Sequence, residues 1–311
     1  MARRAAAGGA LTDAGPSRPE DIAGLYGPGS EAWRLNREAM LLLGAGPRAL
    51  LLQIAHPLVA EGVDQHSDFR RDPWRRLQGT LESYLRIVFG TTAAAHGEIA
   101  RLERIHRRVT GPVVDPEAAR RFPGRYEARD PALSLWVHAT LVDSTIVAYR
   151  EWIEPLGRMS EARFYAETRP IGRAFGIPDD QLPADLDAFE AYVTGMLAPG
   201  GPVHPTPTAR TLAGYILHPT LAPLAPPIAP FLEALPRWLY DWSMWPAVAL
   251  LPAHLRAEYE IPWSPGRDLA ASVLLACWRA WRPRLPAGFR QMPQALAADR
   301  RMARARIDRS A

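Results

Sequence analysis

The chain has 311 residues, 48% hydrophobic and 23% charged, with 37 basic against 33 acidic side chains and a formal net charge of +4. That length and composition belong to a folded globular protein, and arginines scattered among acids, with no basic stripe, exclude nucleic acid as the first partner. All 37 basic residues are arginine, which excludes a catalytic lysine or Schiff base.

The N-terminal stretch "MARRAAAGGALTDAGPSRPED" has a charged start but no apolar run long enough for a secretory leader, so residues 1–29 read as a disordered lead-in. The paired arginines keep a twin-arginine signal as the alternative. Cys277 stands alone, so no intrachain disulfide, cysteine-based zinc site or iron–sulfur cluster can form, and a reducing, cytoplasmic location fits best.

Helical signals dominate the chain from residue 30 onward. A first helix is expected from Ser30 to about Leu43, and Pro47 opens a second, "PRALLLQIAHPLVAEGV", which Pro57 should kink just after His56. Asp72 and Pro73 start a third, "PWRRLQGTLESYLRIVFG", closed by Gly90. The fourth, "AHGEIARLERIHRRVTG", carries Ile99, Leu102, Ile105 and Val109 on one apolar stripe, with His106 inside it, and Gly111-Pro112 ends it. The fifth, "PALSLWVHATLVDSTIVAYREW", begins at Asp130-Pro131 and is apolar nearly all round, so it should be central; His138 sits in its middle.

Further helices are expected around "EARFYAETRPIGRAFG", "DLDAFEAYVTGMLA" and "DLAASVLLACWRAWRPRL". From Thr211 to Leu232 the chain is uncharged and long enough to span a bilayer, but Pro219, Pro223, Pro226, Pro227 and Pro230 break any such helix. A buried irregular segment or a greasy flap is expected there, with contact to a membrane face left open. Strand alternation and the GxGxxG, P-loop and GxSxG motifs are missing, so the fold class is mostly α, a helical single domain over residues 30–285 followed by a basic tail over 286–311.

Two constellations can carry chemistry. A haem needs an apolar slot, an imidazole on one helix and polar tips on a facing helix. The fourth helix offers His106 and the third offers Arg76, Gln78 and Thr80, so a helical hairpin closing over a flat cofactor satisfies that need. The rival is a non-haem iron triad of His56, His66 and Asp64 or Asp68. His56 is otherwise expected to bond backbone freed at Pro57, and His66 to organise its loop.

Taken in order, "AHPLVAEGVDQHSDFRRDPWRRLQGT", "RIHRRVTG", "GRYEARDPALSLWVHATLVDS" and "GIPDDQLPADLDAFEAYVTGML" resemble the family of the fungal ER-bound oxygenase MpaB and the bacterial rubber oxygenase, latex clearing protein, over roughly residues 30 to 280. The resemblance implies a globin-like helical core binding haem b, whose iron is held by His106 and whose pocket is supported by His138. It also implies distal roles for Arg76 and Thr80, with Gln78 between them; separately, arginine's charge-assisted bonds to carboxylates make Arg75, Arg76 and Arg86 candidates for the haem propionates, with a solvated surface role as the alternative. The implied activity is oxidation of an apolar small molecule, of isoprenoid or polyketide type, by dioxygen, with an electron donor in some forms of the reaction. Haem chemistry without oxygenation and non-catalytic binding of haem or an apolar ligand are the alternatives. One departure is plain: the rubber enzyme's distal lysine falls at Gly79, and no lysine exists elsewhere to replace it.

Overall fold

A computed structural model describes residues 19–67, 73–218 and 244–310, the side chains of 19–20, 73–78 and 308–310 excepted. The chain is mostly helical, as expected, with one two-stranded antiparallel ribbon among the described residues. Asp68, Asp72 and most of the proline-rich section expected to be irregular lie outside the described residues.

The centre of the molecule is α8 (Pro131–Trp152), whose ends agree with the sequence expectation. Asp130 caps it by accepting from Ala132 N–H at 2.8 Å, and Pro131 takes the first turn. Because α8 is apolar on most sides, neighbours must cover it, and α3 (Leu41–Ala55) makes the largest helix contact with it among the described residues. The Trp152 side chain rests against α3 at Gly44, where a Cβ would stand 2.7 Å from the indole ring. Arg48 of α3 is buried there, donating to Asp143 at 2.6 Å, Ser144 Oγ at 2.8 Å and the Leu250 carbonyl at 2.9 Å.

The first expected helix is in fact short, α2 (Glu31–Asn36), capped by Ser30. It stops because Glu38 is pulled into a buried ion pair with Arg282 at 2.5 Å and bridges to Gln291, contacts made from the far end of the chain. The next helix, α3, begins at Leu41 and runs through Pro47 instead of starting at it. At His56 the path does more than kink. A 104° bend separates α3 from α4 (Pro57–His66), with Pro57 opening the new helix.

A helical hairpin comes next, as expected: α5 (Pro73–Phe89) and α6 (Thr92–His106), joined at Gly90-Thr91, with Thr91 as N-cap of the second. Beyond it β1 (Thr110–Pro112) pairs antiparallel with β2 (Arg125–Glu127), and the short α7 (Pro116–Arg121) lies between them. Gly111 and Pro112 therefore belong to a strand, where the sequence pattern suggests only a helix stop. The helices α9 (Arg158–Ala174), α10 (Leu186–Met196) and α11 (Pro207–Leu217) cover the rest of α8 and α3.

After a helical stretch at 244–249 come α12 (Ala253–Glu258) and α13 (Pro265–Trp281), the latter packed on α8. Past residue 286 the chain forms the short α14 (Ala287–Arg290) and then α15 (Pro293–Ser310), which packs on α5 and on α1 (Pro19–Ala23). Trp33, Leu85, Val88 and Phe89 make a cluster there with Met292, Ala295 and Ala298.

Candidate functional site

Three helix segments meet around the two histidines in the middle of the chain. His138 projects from α8 with 8% of its surface exposed, and its Nε2 has no hydrogen-bond partner among the described residues. Burial lowers its pKa from 6.5 to about 4, so the ring is neutral at physiological pH and keeps a free lone pair or N–H for something else. Its neighbours are apolar. Leu135 of α8 clusters with Ile177 and Leu182, and a Cβ added at Gly172 of α9 would touch the imidazole at 3.5 Å and Leu182 at 3.0 Å. Glycine at 172 leaves the room into which the ring fits.

His106 is the last residue of α6 and is half-buried. Its ring lies 6.2 Å from that of Phe175, which caps the C-terminus of α9. Phe175 N–H donates to the Gly172 carbonyl at 3.1 Å, so the residue against His106 and the residue against His138 share one helical turn. The structure thus gathers His106 and His138 around the end of α9. Sequence reasoning singles out both histidines but misses Gly172 and Phe175, which look like ordinary helix residues until the partner helices are in place.

The stripe expected on α6 is partly different. Ile99 is buried and Leu102 half-buried on the side of His106, but Ile105 is 41% exposed and faces the other way. On that outer side Ile105 and Val109 line an open groove of about 360 Å³ with His66, Arg101, Arg104 and Arg108. Arg101 is held by Glu98 at 2.6 Å and by Ser83 Oγ at 2.9 Å. The hydrogen bond from Arg101 is the main cause that lowers the Glu98 pKa. The groove thus sets three arginines, one of them paired with Glu98, beside the aliphatic Ile105 and Val109.

The Ser83–Arg101 and Arg86–Glu98 contacts also fix the register of the hairpin, and in that register residue 78 of α5 stands level with His106. Arg75, Arg76 and Gln78 lie on this turn, and their side chains are outside the described residues. Thr80 is exposed one turn further along. At Gly79 a Cβ would meet nothing within 4 Å.

The rival iron triad does not assemble. His56 and His66 bound α4 at opposite ends, about 15 Å apart at 1.5 Å per residue. His66 Nε2 meets the Thr110 carbonyl at 3.1 Å and its ring packs edge-on against Tyr126, which is the loop-organising role expected of it. His56 does not bond freed backbone. Its side chain makes no cap bond, its buried Nδ1 has no partner among the described residues, and its ring lies 5.4 Å from Phe122. Burial, then His204, lower its pKa to about 4, with Arg121 adding to the effect and Asp130 opposing it. No cluster of three or more His, Cys, Asp or Glu side chains suited to a metal ion occurs among the described residues.

Residues 33–282 match the family model described as ER-bound oxygenase mpaB/B′/rubber oxygenase, catalytic domain. No curated protein and no solved structure matches the chain.

Proposed function

We propose, from the premise that the chain belongs to the mpaB/rubber oxygenase catalytic-domain family, that this oxygenase is haem-dependent and acts with dioxygen on an apolar small molecule of isoprenoid or polyketide type. The observation that carries the reading is the orphaned, neutral His138 imidazole, sealed among apolar side chains beside the same turn of α9 that touches His106. The donor set fits haem b: two imidazoles with no thiolate or carboxylate cluster beside them among the described residues, and aliphatic and aromatic walls of the kind a porphyrin needs. A globin-like packing of the hairpin over the cofactor belongs to the same reading.

In it His106 would hold the iron from the end of α6, and His138 would orient the cofactor from the wall. Arg75 would meet its carboxylates. When bound, haem supplies the dioxygen activation and redox capacity that these side chains lack. Arg76, Gln78 and Thr80, on the two turns of α5 nearest the level of His106, would offer hydrogen-bond donors to the polar reacting group. Apolar walls exclude water and select a substrate of like character. Gly79 leaves open the place where the rubber enzyme carries a lysine, so cleavage of a polymer is not assigned. A reductant is needed only in a monooxygenase form of the reaction.

The test is the visible spectrum of the protein expressed with haem precursor, as isolated and after dithionite, beside His106→Ala and His138→Leu. A Soret band that His106→Ala abolishes or shifts, and that His138→Leu weakens, is expected. A haem-supplied parent protein without a Soret band would sink the reading.

A further inference from the structure

The face of α13 turned away from the molecule is apolar along its whole length. Leu269 is 66% exposed, Val273 52% and Trp281 64%, and between them Ala276, Cys277 and Ala280 are exposed too. Asp268, Ser272 and Arg279 stand along one edge of the strip, and the Arg284 guanidinium lies over the Trp281 ring, 5.7 Å from its centre, at the C-terminal end. Leu269, Val273, Ala276 and Ala280 recur at spacings of four, three and four residues, the pattern of a seam between two helices.

We propose that this strip is the contact between two copies of the chain, with α13 of each lying antiparallel to α13 of the other about a two-fold axis between Leu274 and Leu275. The pattern is self-complementary about that point. Leu269 falls opposite the partner's Ala280, and Val273 opposite the partner's Ala276, so each large side chain meets a small one. On one edge Trp281 falls over the partner's Gly266, beside an open apolar groove of about 480 Å³ lined by Trp245, Gly266, Leu269, Ala270, Val273 and Leu274. On the other edge the two-fold brings Asp268 of one copy, whose Oδ1 accepts from Trp263 Nε1–H at 2.7 Å, to the partner's Arg279, twice over; within its own chain Arg279 also donates to the Arg150 carbonyl at 3.0 Å.

A parallel pairing would set Arg279 beside the partner's Arg279 and Trp281 beside the partner's Trp281. A lipid surface would bury the same large side chains but leaves the matching of large to small residues, and of Asp268 to Arg279, without a reason. Covered twice, Leu269, Val273, Trp281 and the small residues amount to on the order of 1,000 Å², the lower end of specific interfaces.

The test uses the full chain. Sedimentation should give a dimer at micromolar concentration, with Val273→Glu, Asp268→Arg and Arg279→Asp each weakening it about tenfold or more. The double variant Asp268→Arg with Arg279→Asp should regain the parent affinity, which general damage to the fold would not allow. The parent Cys277 stands about 10 Å from the partner's Cys277 in this geometry, too far for a disulfide, whereas Ala270→Cys brings a thiol opposite it. Mild oxidation should therefore cross-link the Ala270→Cys protein and not the parent. A parent monomeric at about 100 µM overturns the proposal. So does cross-linking of the parent as readily as the variant, or a monomer that floats with anionic vesicles and ceases to do so when Val273 is Glu. None of these outcomes depends on haem.

Discussion

His56 and His138 are both neutral in the folded protein because burial pushes their pKa values from 6.5 to about 4. The unfolded chain takes up these protons near 6.5, so between the two values it binds more protons than the native state. Stability should therefore fall as pH drops from about 6.5 to about 4, by on the order of 3 kcal/mol for each histidine. Urea unfolding of the cofactor-free protein at several pH values measures this, and His138→Leu should remove about half of the slope. An unchanged slope in that variant would mean that His138 is not buried as described.

Gly172 gives a second test at the same scale. In Gly172→Val the new side chain presses on Leu182 and on the His138 ring, so a loss of about 1–3 kcal/mol is expected from thermal unfolding, and the proposed haem site predicts weaker haem uptake with it. His106 stands out in the sequence on an apolar stripe, while His138 gains a role there only through the family resemblance. Gly172 and Phe175 are not legible there, since their importance lies in which helix comes to rest against them.

Among the elements, α8 carries His138 and packs on α3, and the crossing of the two depends on a buried charge and a missing methyl. Removing Arg48 leaves Asp143 without its cation in a largely buried setting, so Arg48→Ala should cost about 3–5 kcal/mol by chemical denaturation. Gly44→Ala drives a carbon to within 2.7 Å of the Trp152 ring and should lose about 1–3 kcal/mol. The helix α8 is legible to the residue because its cap, proline and apolar run all lie next to one another in sequence. The end of α2 is not, for the contacts that set it, Glu38 with Arg282 and Gln291, come from about 250 residues away along the chain. The same holds for β1, which becomes a strand only by pairing with β2.

At the scale of the whole molecule, the two ends of the described chain clasp each other. Ala39 N–H donates to the Arg290 carbonyl and Met292 N–H to the Arg37 carbonyl, both at 2.8 Å, and Arg37 pairs with Asp299 at 2.5 Å. Arg301 reaches back to the carbonyls of Ile22 at 3.0 Å and Phe89 at 2.8 Å. Deleting residues 291–311 would uncover Trp33, Leu85, Val88 and Phe89, at about 1.5–3 kcal/mol for each large side chain, comparable with the whole stability of a domain. Such a truncation should give little soluble protein and rapid proteolysis within α5; wild-type solubility would show that α15 is dispensable.

That clasp also sets a clock. The helix that backs α5 is made long after the α5–α6 hairpin itself. Until α15 has emerged, α5 has no back wall, so the nascent hairpin lacks the contacts that hold it in place. Its final packing is accordingly a late event of synthesis, and a chain that stalls before α15 would leave it undone.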